Sequence, residues 1–228
     1  MMKKSFAVLN SIESQILAPY AQRHGGGAAL FACDDEELRC LATHGFMRSA
    51  ELHPICQDKN IIGFVQAQNS SDLAALQSQL APLLLGDFAL QERSLRWLVD
   101  AKEIAPAVAD WIGIYWKESF LLEKKTSKDL LLGAYFGEAT EHTRIPLNKG
   151  LCGLALTEER VVNVDDVSKE DRHIACSLKT RSELVIPLHN RRGKFVAELD
   201  IDSYKQSAFT PALQKQWEVF AETFFLVL

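Results

Sequence analysis

No two cysteines of this chain form a CxxC pair. Cys33, Cys40, Cys56, Cys152 and Cys176 are odd in number and irregularly spaced, which argues against a structural disulfide set. Any cysteine with a task here is expected to have a reactive one. Also missing is an excess of positive charge. Twenty-five Lys and Arg against thirty Asp and Glu leave a net charge of -5, whereas nucleic-acid binders carry a basic face. The pairs Lys124-Lys125 and Arg191-Arg192 read as solvated turns. Long apolar runs are lacking too, since no window approaches the ~18 residues of a membrane span. Asn10, Ser11, Glu13 and Ser14 interrupt the apolar stretch after Lys3 and Lys4, so no secretion signal is expected. A cytoplasmic protein with reduced thiols is the expectation. What is there fits that class: 228 residues, 47% hydrophobic and 24% charged, enough for one large or two small cores.

Along the chain, Phe6, Leu9, Ile12, Ile16 and Tyr20 keep a 3.6-residue period, predicting a helix over 2–22 that stops at Gly25-Gly26-Gly27. AALFAC, LRCLATHGF, LHPICQ and IIGFVQAQ read as strands. Ser70, Ser71 and Asp72 offer a cap for a long helix, kinked at Pro82 and broken near Gly86, that runs towards Ala105-Pro106. From Trp111 the order repeats. WIGIYW and DLLLGAYFG form a hairpin and HTRIPL a third strand. GLCGLALTEE is a short helix, VVNV a brief strand, and SELVIPL and KFVAELDID a second hairpin across Asn190–Gly193. Thr210, Pro211 and Phe209 start a terminal helix. Both halves therefore read as related α+β modules, the first shortened.

Chemistry concentrates in the second half. In KFVAELDIDS, alternation sends Phe195, Ala197, Leu199 and Ile201 to one face and Glu198, Asp200 and Asp202 to the other. Three like charges on one face either line solvent or line a pocket suited to a small cationic or zwitterionic ligand, which would raise the pKa of at least one acid. Cys152 sits between Gly150 and Gly153 at the start of a short helix, where a thiol loses its proton more easily. Cys176 lies in a polar loop with Asp171, Arg172, His173, Lys179 and Arg181 near it, and cations favour a thiolate. An inert buried cysteine remains open for either residue. So does zinc held by His142, Cys152, His173 and Cys176, although only one close-spaced ligand pair is present.

DWIGIYW, RIPLNKGLCGLAL, VVNVDDV, HIAC, SELVIPL and ELDIDS, in that order, resemble the GAF-domain free methionine-R-sulfoxide reductases over about residues 90–228. The resemblance implies an α+β fold with a GAF-type central antiparallel sheet flanked by helices. A smaller, degenerate GAF-like α+β module would precede it. The expected domains are 1–71 for that shortened module, 72–105 for a connecting helix and 106–228 for the catalytic domain. The implied activity is thiol-dependent reduction of free methionine-R-sulfoxide, with thioredoxin or a similar dithiol protein as reductant and no cofactor or metal. In that pattern Cys176 attacks the sulfoxide sulfur and becomes a sulfenic acid. Glu183, Asp200 and Asp202 bind substrate and help protonate its oxygen, and Trp111 walls the pocket. The family commonly has a further cysteine two residues before the RIP arginine, and here that position is His142. Cys152 is left as the resolving thiol, unless the external reductant attacks the sulfenic acid directly. Glu198 also departs from the pattern, where a small or apolar residue is expected before LDID. Cys33, Cys40 and Cys56 are read as hydrophobic packing. The alternative is a catalytically impaired GAF module that binds a small molecule or dimerises. The apolar end FFLVL points to a homodimer.

Overall fold

The computed structural model describes residues 12–24, 27–34, 37–44, 52–57, 60–67, 72–123, 126–147, 149–170 and 179–228. It divides into two compact units, Met1–Leu95 and Arg96–Leu228.

In the first unit the predicted N-terminal helix is seen from residue 12 onward, as a wide π turn at Glu13–Leu17 followed by α1 (Ala18–His24). Ile12, Ile16, Leu17 and Tyr20 are buried, as their period requires. Strands β1 (Ala28–Asp34), β2 (Glu37–His44), β3 (Leu52–Gln57) and β4 (Asn60–Ala67) form an antiparallel sheet in the order β2-β1-β4-β3. Cys56 is exposed, which corrects its reading as core packing. It sits beside the register shift between Ile55 and Cys56, which interrupts the inside–outside alternation. The side chains of Cys33 and Cys40 lie outside the described residues. Helix α2 (Leu73–Leu80) begins after Asp72, whose left-handed backbone (φ 55°) supplies no side-chain cap. That differs from the expected Asp72 cap, while Ser70 and Ser71 lie outside the described residues. Pro82 tightens the next turn, Ala81–Leu84, into a 3-10 helix rather than kinking a continuous one. The break falls at Gly86, at φ 66°. Asp87 then caps α3 (Phe88–Glu103), its Oδ1 accepting from the Ala89 N–H at 2.8 Å.

The second unit is built on β5 (Trp111–Lys117), β6 (Leu130–Phe136), β7 (Arg144–Ile145), β8 (Val162–Val164), β9 (Ser182–His189) and β10 (Phe195–Ser203). They form one antiparallel sheet in the order β7-β6-β5-β10-β9-β8. The predicted third strand shrinks to two residues, because Pro146 has no N–H to continue the ladder. The hairpin between β9 and β10 closes as expected. Asn190 Oδ1 accepts from the N–H groups of Arg192 and Lys194, at 2.9 and 3.0 Å. Gly193 supplies the left-handed residue, at φ 69°. Thr210 caps α5 (Pro211–Ala221, with α4 described below), accepting from the Leu213 N–H at 3.3 Å. Phe209 is buried and packs edge-on to Trp217.

One face of this sheet is largely apolar, with the buried pair Ser182 and Ser203 at its edge. Ile112, Ile114, Trp116, Leu184, Ile186, Leu199 and Ile201 are all buried there. Helical aromatics complete that core. The Trp217 indole donates to the carbonyl of Ala101 at 3.0 Å, and Phe224 lies 5.4 Å from the Trp116 ring and 5.0 Å from Trp97. The apolar chain end is thus only partly uncovered: Phe224 and Val227 are buried, while Leu226 and Leu228 are exposed.

Candidate active site

The opposite face of the second sheet carries the acids. All nine residues of β10 are buried, because β5 and β9 flank it on both edges. The expected solvated edge is therefore excluded for Glu198, Asp200 and Asp202, which are 0%, 0% and 2% exposed. Register places Glu183 of β9 and Trp111 of β5 directly beside Asp202, and Tyr115 beside Glu198. Directly paired residues project to the same face. Four carboxyl side chains and three strands thus share one surface.

Helix α4 (Gly150–Glu158) covers that surface. Leu151, Cys152, Ala155 and Leu156 pack with Trp111, Tyr115, Tyr135, Val185 and Phe195 in one buried cluster. Gly153 lets the helix approach closely, since a Cβ there would sit 2.6 Å from the Leu147 carbonyl oxygen. The Cys152 thiol donates to Asp200 Oδ2 at 3.6 Å. Cys152, Glu183 and Asp200 each present one ligand atom within 4.8 Å of the others.

Trp111 packs at one side of this surface. Its ring lies across Gly113, where a Cβ would come within 2.3 Å of the indole, and Gly113 is the register partner of Asp200. The indole N–H donates to the Glu138 carbonyl at 3.1 Å, and the ring stacks on Tyr135 at 5.6 Å. Asp110 pins the strand ends that present the acids. Its Oδ2 accepts from the Tyr204 N–H at 2.7 Å, and its own N–H donates to the Asp202 carbonyl at 3.0 Å.

Burial dominates the electrostatics. It pushes the Glu183 carboxyl well above its usual range, with the charges of Asp200, Asp202 and Glu198 adding to the effect. Glu198 is raised well above its usual range by burial, partly offset by the neighbouring Cys152 thiol and further raised by Asp200. Asp200 is pushed up to about 7 by burial, with the Cys152 thiol and the Ile201 backbone opposing. Asp202 is raised by burial and by Asp200, with Thr180 opposing. Four buried acids cannot all be ionised without partners, so this surface holds protons at neutral pH. Both Glu198 oxygens, Asp200 Oδ1 and Asp202 Oδ2 have no hydrogen-bond partner of ordinary geometry. Such a surface can donate a proton to a bound oxygen and can hold an ammonium group.

Cys176, with His173, lies outside the described residues, so the structure does not place the expected nucleophile. Glu183, Asp200, Asp202, Trp111 and Cys152 are brought together. Thr180, buried beside Asp202, escaped the sequence reading, as did Tyr115, whose hydroxyl donates to the His142 carbonyl at 2.8 Å. Gly113 within a strand was the available signal, since such a glycine marks close approach. A thiolate with two carboxylates could hold zinc, yet no histidine among the described residues joins that group. Two surface cavities of about 460 and 530 Å³ lie elsewhere, lined by residues such as His189, Glu218 and Phe225, and neither touches the acids.

A sheet of this order, backed by helices on one face and covered by α4 on the other, is that of the GAF fold. The GAF domain model matches residues 92–225, and the chain belongs to the GAF domain family. Among curated relatives, the free methionine-R-sulfoxide reductase of Escherichia coli is 38% identical over 97 residues, covering 42% of this chain and 56% of the relative. The chain spans 56% to 74% of the length of the curated relatives it matches. Among solved structures, a type II free methionine-R-sulfoxide reductase of Thermoplasma acidophilum superposes with a TM-score of 0.53 at 33% identity, covering 60% of this chain and 94% of that one. The Neisseria meningitidis reductase in complex with its substrate gives 0.50 at 27% identity, covering 66% and 85%. Among the described residues, no single helix is long and apolar enough to cross a membrane.

Proposed function

We propose that this chain reduces free methionine-R-sulfoxide to methionine. The observation that carries the reading is the convergence of Glu183, Asp200 and Asp202 with Cys152 on one buried surface walled by Trp111, in a chain similar to reductases of that name. In this reading the Cys176 thiolate attacks the sulfoxide sulfur while a neutral acid, Glu183 first, gives its proton to the oxygen. This forms an S–S adduct that carries the hydroxyl on the methionine sulfur. The hydroxyl then passes to the Cys176 sulfur as the S–O bond to methionine and the S–S bond break, so methionine leaves and Cys176 is a sulfenic acid. Asp200 and Asp202 hold the substrate ammonium, a task for which buried carboxylates on one face are suited. Cys152 then attacks the sulfenic sulfur, releasing water and leaving a disulfide. A dithiol protein of the thioredoxin kind returns both thiols. A homodimer, formed through Val219, Leu226 and Leu228, completes the proposal.

The test is NADPH consumption with thioredoxin, thioredoxin reductase and free methionine sulfoxide. Cys176→Ser is expected to abolish turnover. Cys152→Ser should permit one equivalent of methionine per chain and then stall. Unaltered steady-state activity in Cys176→Ser would remove the mechanism, and substrate binding without turnover in the native protein would identify a binding module instead.

A further inference from the structure

The acid face meets a thiol. Cys152 Sγ, one oxygen of Glu183 and one of Asp200 all lie within 4.8 Å of one another, and all three side chains are buried. A soft thiolate beside two carboxylates is a donor set for a divalent cation of the zinc kind. Calcium and magnesium take oxygen alone. One edge of the group already has the required length. The Cys152 thiol stands 3.6 Å from Asp200 Oδ2. Bonds of about 2.3 Å to sulfur and about 2.0 Å to oxygen at a tetrahedral angle put those two atoms roughly 3.5 Å apart. Glu183 then has to close by roughly 1.5 Å at most to complete a third ligand.

Glu198 supplies a second, separate observation. It lies on the same face of β10, two residues from Asp200, and beside the Cys152 thiol. It is fully buried, and neither its two oxygens nor Asp200 Oδ1 has a hydrogen-bond partner of ordinary geometry. Buried acceptors in that state call for a donor or a cation. Protons occupy this surface at neutral pH, and a dication can supplant them. Its field lowers the pKa of each group it binds, the thiol included, so uptake releases protons.

We propose that Cys152, Glu183 and Asp200 bind one zinc-class divalent cation, with the fourth tetrahedral position taken by a water that donates to Glu198. The set lies wholly on α4, β9 and β10, and it differs from the His142, Cys152, His173 and Cys176 set that the sequence leaves open. It also gives Glu198 a partner at a position where the resemblance calls for a small or apolar side chain. On the functional reading above, the substrate needs Glu183 and Asp200 for itself. The ion and the substrate then exclude each other, and a free cation of this class inhibits. That consequence rests on the functional reading, whereas the site itself does not.

The test uses the full reduced chain, freed of metal by a chelator and titrated with Co²⁺ and then Zn²⁺. One Co²⁺ per chain is expected, with a sulfur-to-cobalt charge-transfer band and the intense visible bands of tetrahedral cobalt, all bleached by one equivalent of Zn²⁺. X-ray absorption of the zinc-loaded protein should show one sulfur at about 2.3 Å and oxygens at about 2.0 Å. Cys152→Ser should abolish the charge-transfer band, and Asp200→Asn should weaken zinc binding at least tenfold. Glu198→Gln should weaken it by about tenfold and leave the cobalt spectrum in place, as loss of an outer partner does. Two or more sulfurs around zinc would overturn the proposal. So would a native chain that binds neither ion, or a cobalt band that survives Cys152→Ser or is lost in Cys56→Ser, at an exposed thiol. If the variants fail to fold, the sulfur count in the native protein decides alone. A native chain with the one-sulfur site that releases no methionine from the sulfoxide would fail the functional reading and leave this inference standing. One that turns the sulfoxide over but binds neither cobalt nor zinc would do the opposite.

Discussion

The two faces of the six-stranded sheet are made by the same strands and could hardly differ more. One face presents Ile112, Ile114, Leu199 and Ile201 to the aromatic side chains of α3 and α5, where the Trp217 indole donates to the Ala101 carbonyl while the buried Trp116 indole N–H has no hydrogen-bond partner. The other presents Glu183, Glu198, Asp200 and Asp202 under α4, with several oxygens lacking partners. The first face is a stability device. The second carries the cost of burying four acids, which is the pattern of a site where stability is given up for chemistry. Substitutions on the two faces should therefore have opposite signatures.

The largest effect is expected from Glu183→Gln, which removes the proposed proton donor. kcat/KM should fall by roughly 10² to 10⁴-fold, while the thermal midpoint stays level or rises because a buried acid has been neutralised. Trp217→Ala on the apolar face should do the reverse. It leaves a cavity costing about 3–5 kcal/mol in denaturant titration, with near-native kinetics in whatever fraction remains folded. Arg144→Ala probes a third region. Arg144 pairs with buried Glu118 and with Asp129 at 3.3 Å, tying the start of β7 to the end of β5. Its removal leaves the buried Glu118 carboxylate without its cation, though still accepting from the Ser127 hydroxyl at 2.6 Å, and should cost about 3 kcal/mol, with Glu118→Gln in the same chain recovering part of the loss.

A subtler contrast lies in pH. The acids of the second face have folded pKa values above their unfolded ones, Asp200 at about 7 against 3.8. Between those values the folded state keeps a proton that the unfolded state gives up. The penalty is absent below about pH 4, grows as pH rises, and is complete once pH passes the folded value. Stability in denaturant titration should thus decline from pH 4 to pH 7. Asp200→Asn should flatten that decline, whereas Trp217→Ala should lower the curve without changing its shape. An unchanged slope in Asp200→Asn would blur the distinction between the faces.

Much of this arrangement is legible in the residue order. Alternation in KFVAELDIDS separates the three acids from Ala197, Leu199 and Ile201 correctly, but Phe195, expected with the latter, packs in the cluster under α4 because of the register shift between Phe195 and Ala197. The turn at Asn190–Gly193 and the Thr210 cap form as their chemistry predicts. What alternation cannot reveal is that β10 is central, since its neighbours β5 and β9 are fixed by pairings that span up to about ninety residues. Burial of the acids follows from that centrality and from α4, whose Cys152 meets Asp200 across 48 positions. Local signals mislead where a neighbour intervenes. Asp72 looks like a cap but adopts a left-handed backbone, and Cys56 looks like core but sits at a register shift and is exposed.

The account rests on the acid face being a site for one epimer of one oxidised amino acid. Rapid-quench measurement of methionine released in a single turnover, with R and S sulfoxides supplied separately and no reductant present, tests this most directly. The prediction is close to one methionine per chain from the R epimer, none from the S epimer, and a far slower release from R in Glu183→Gln. Equal release from both epimers, or release from R that is indifferent to Glu183, would contradict it.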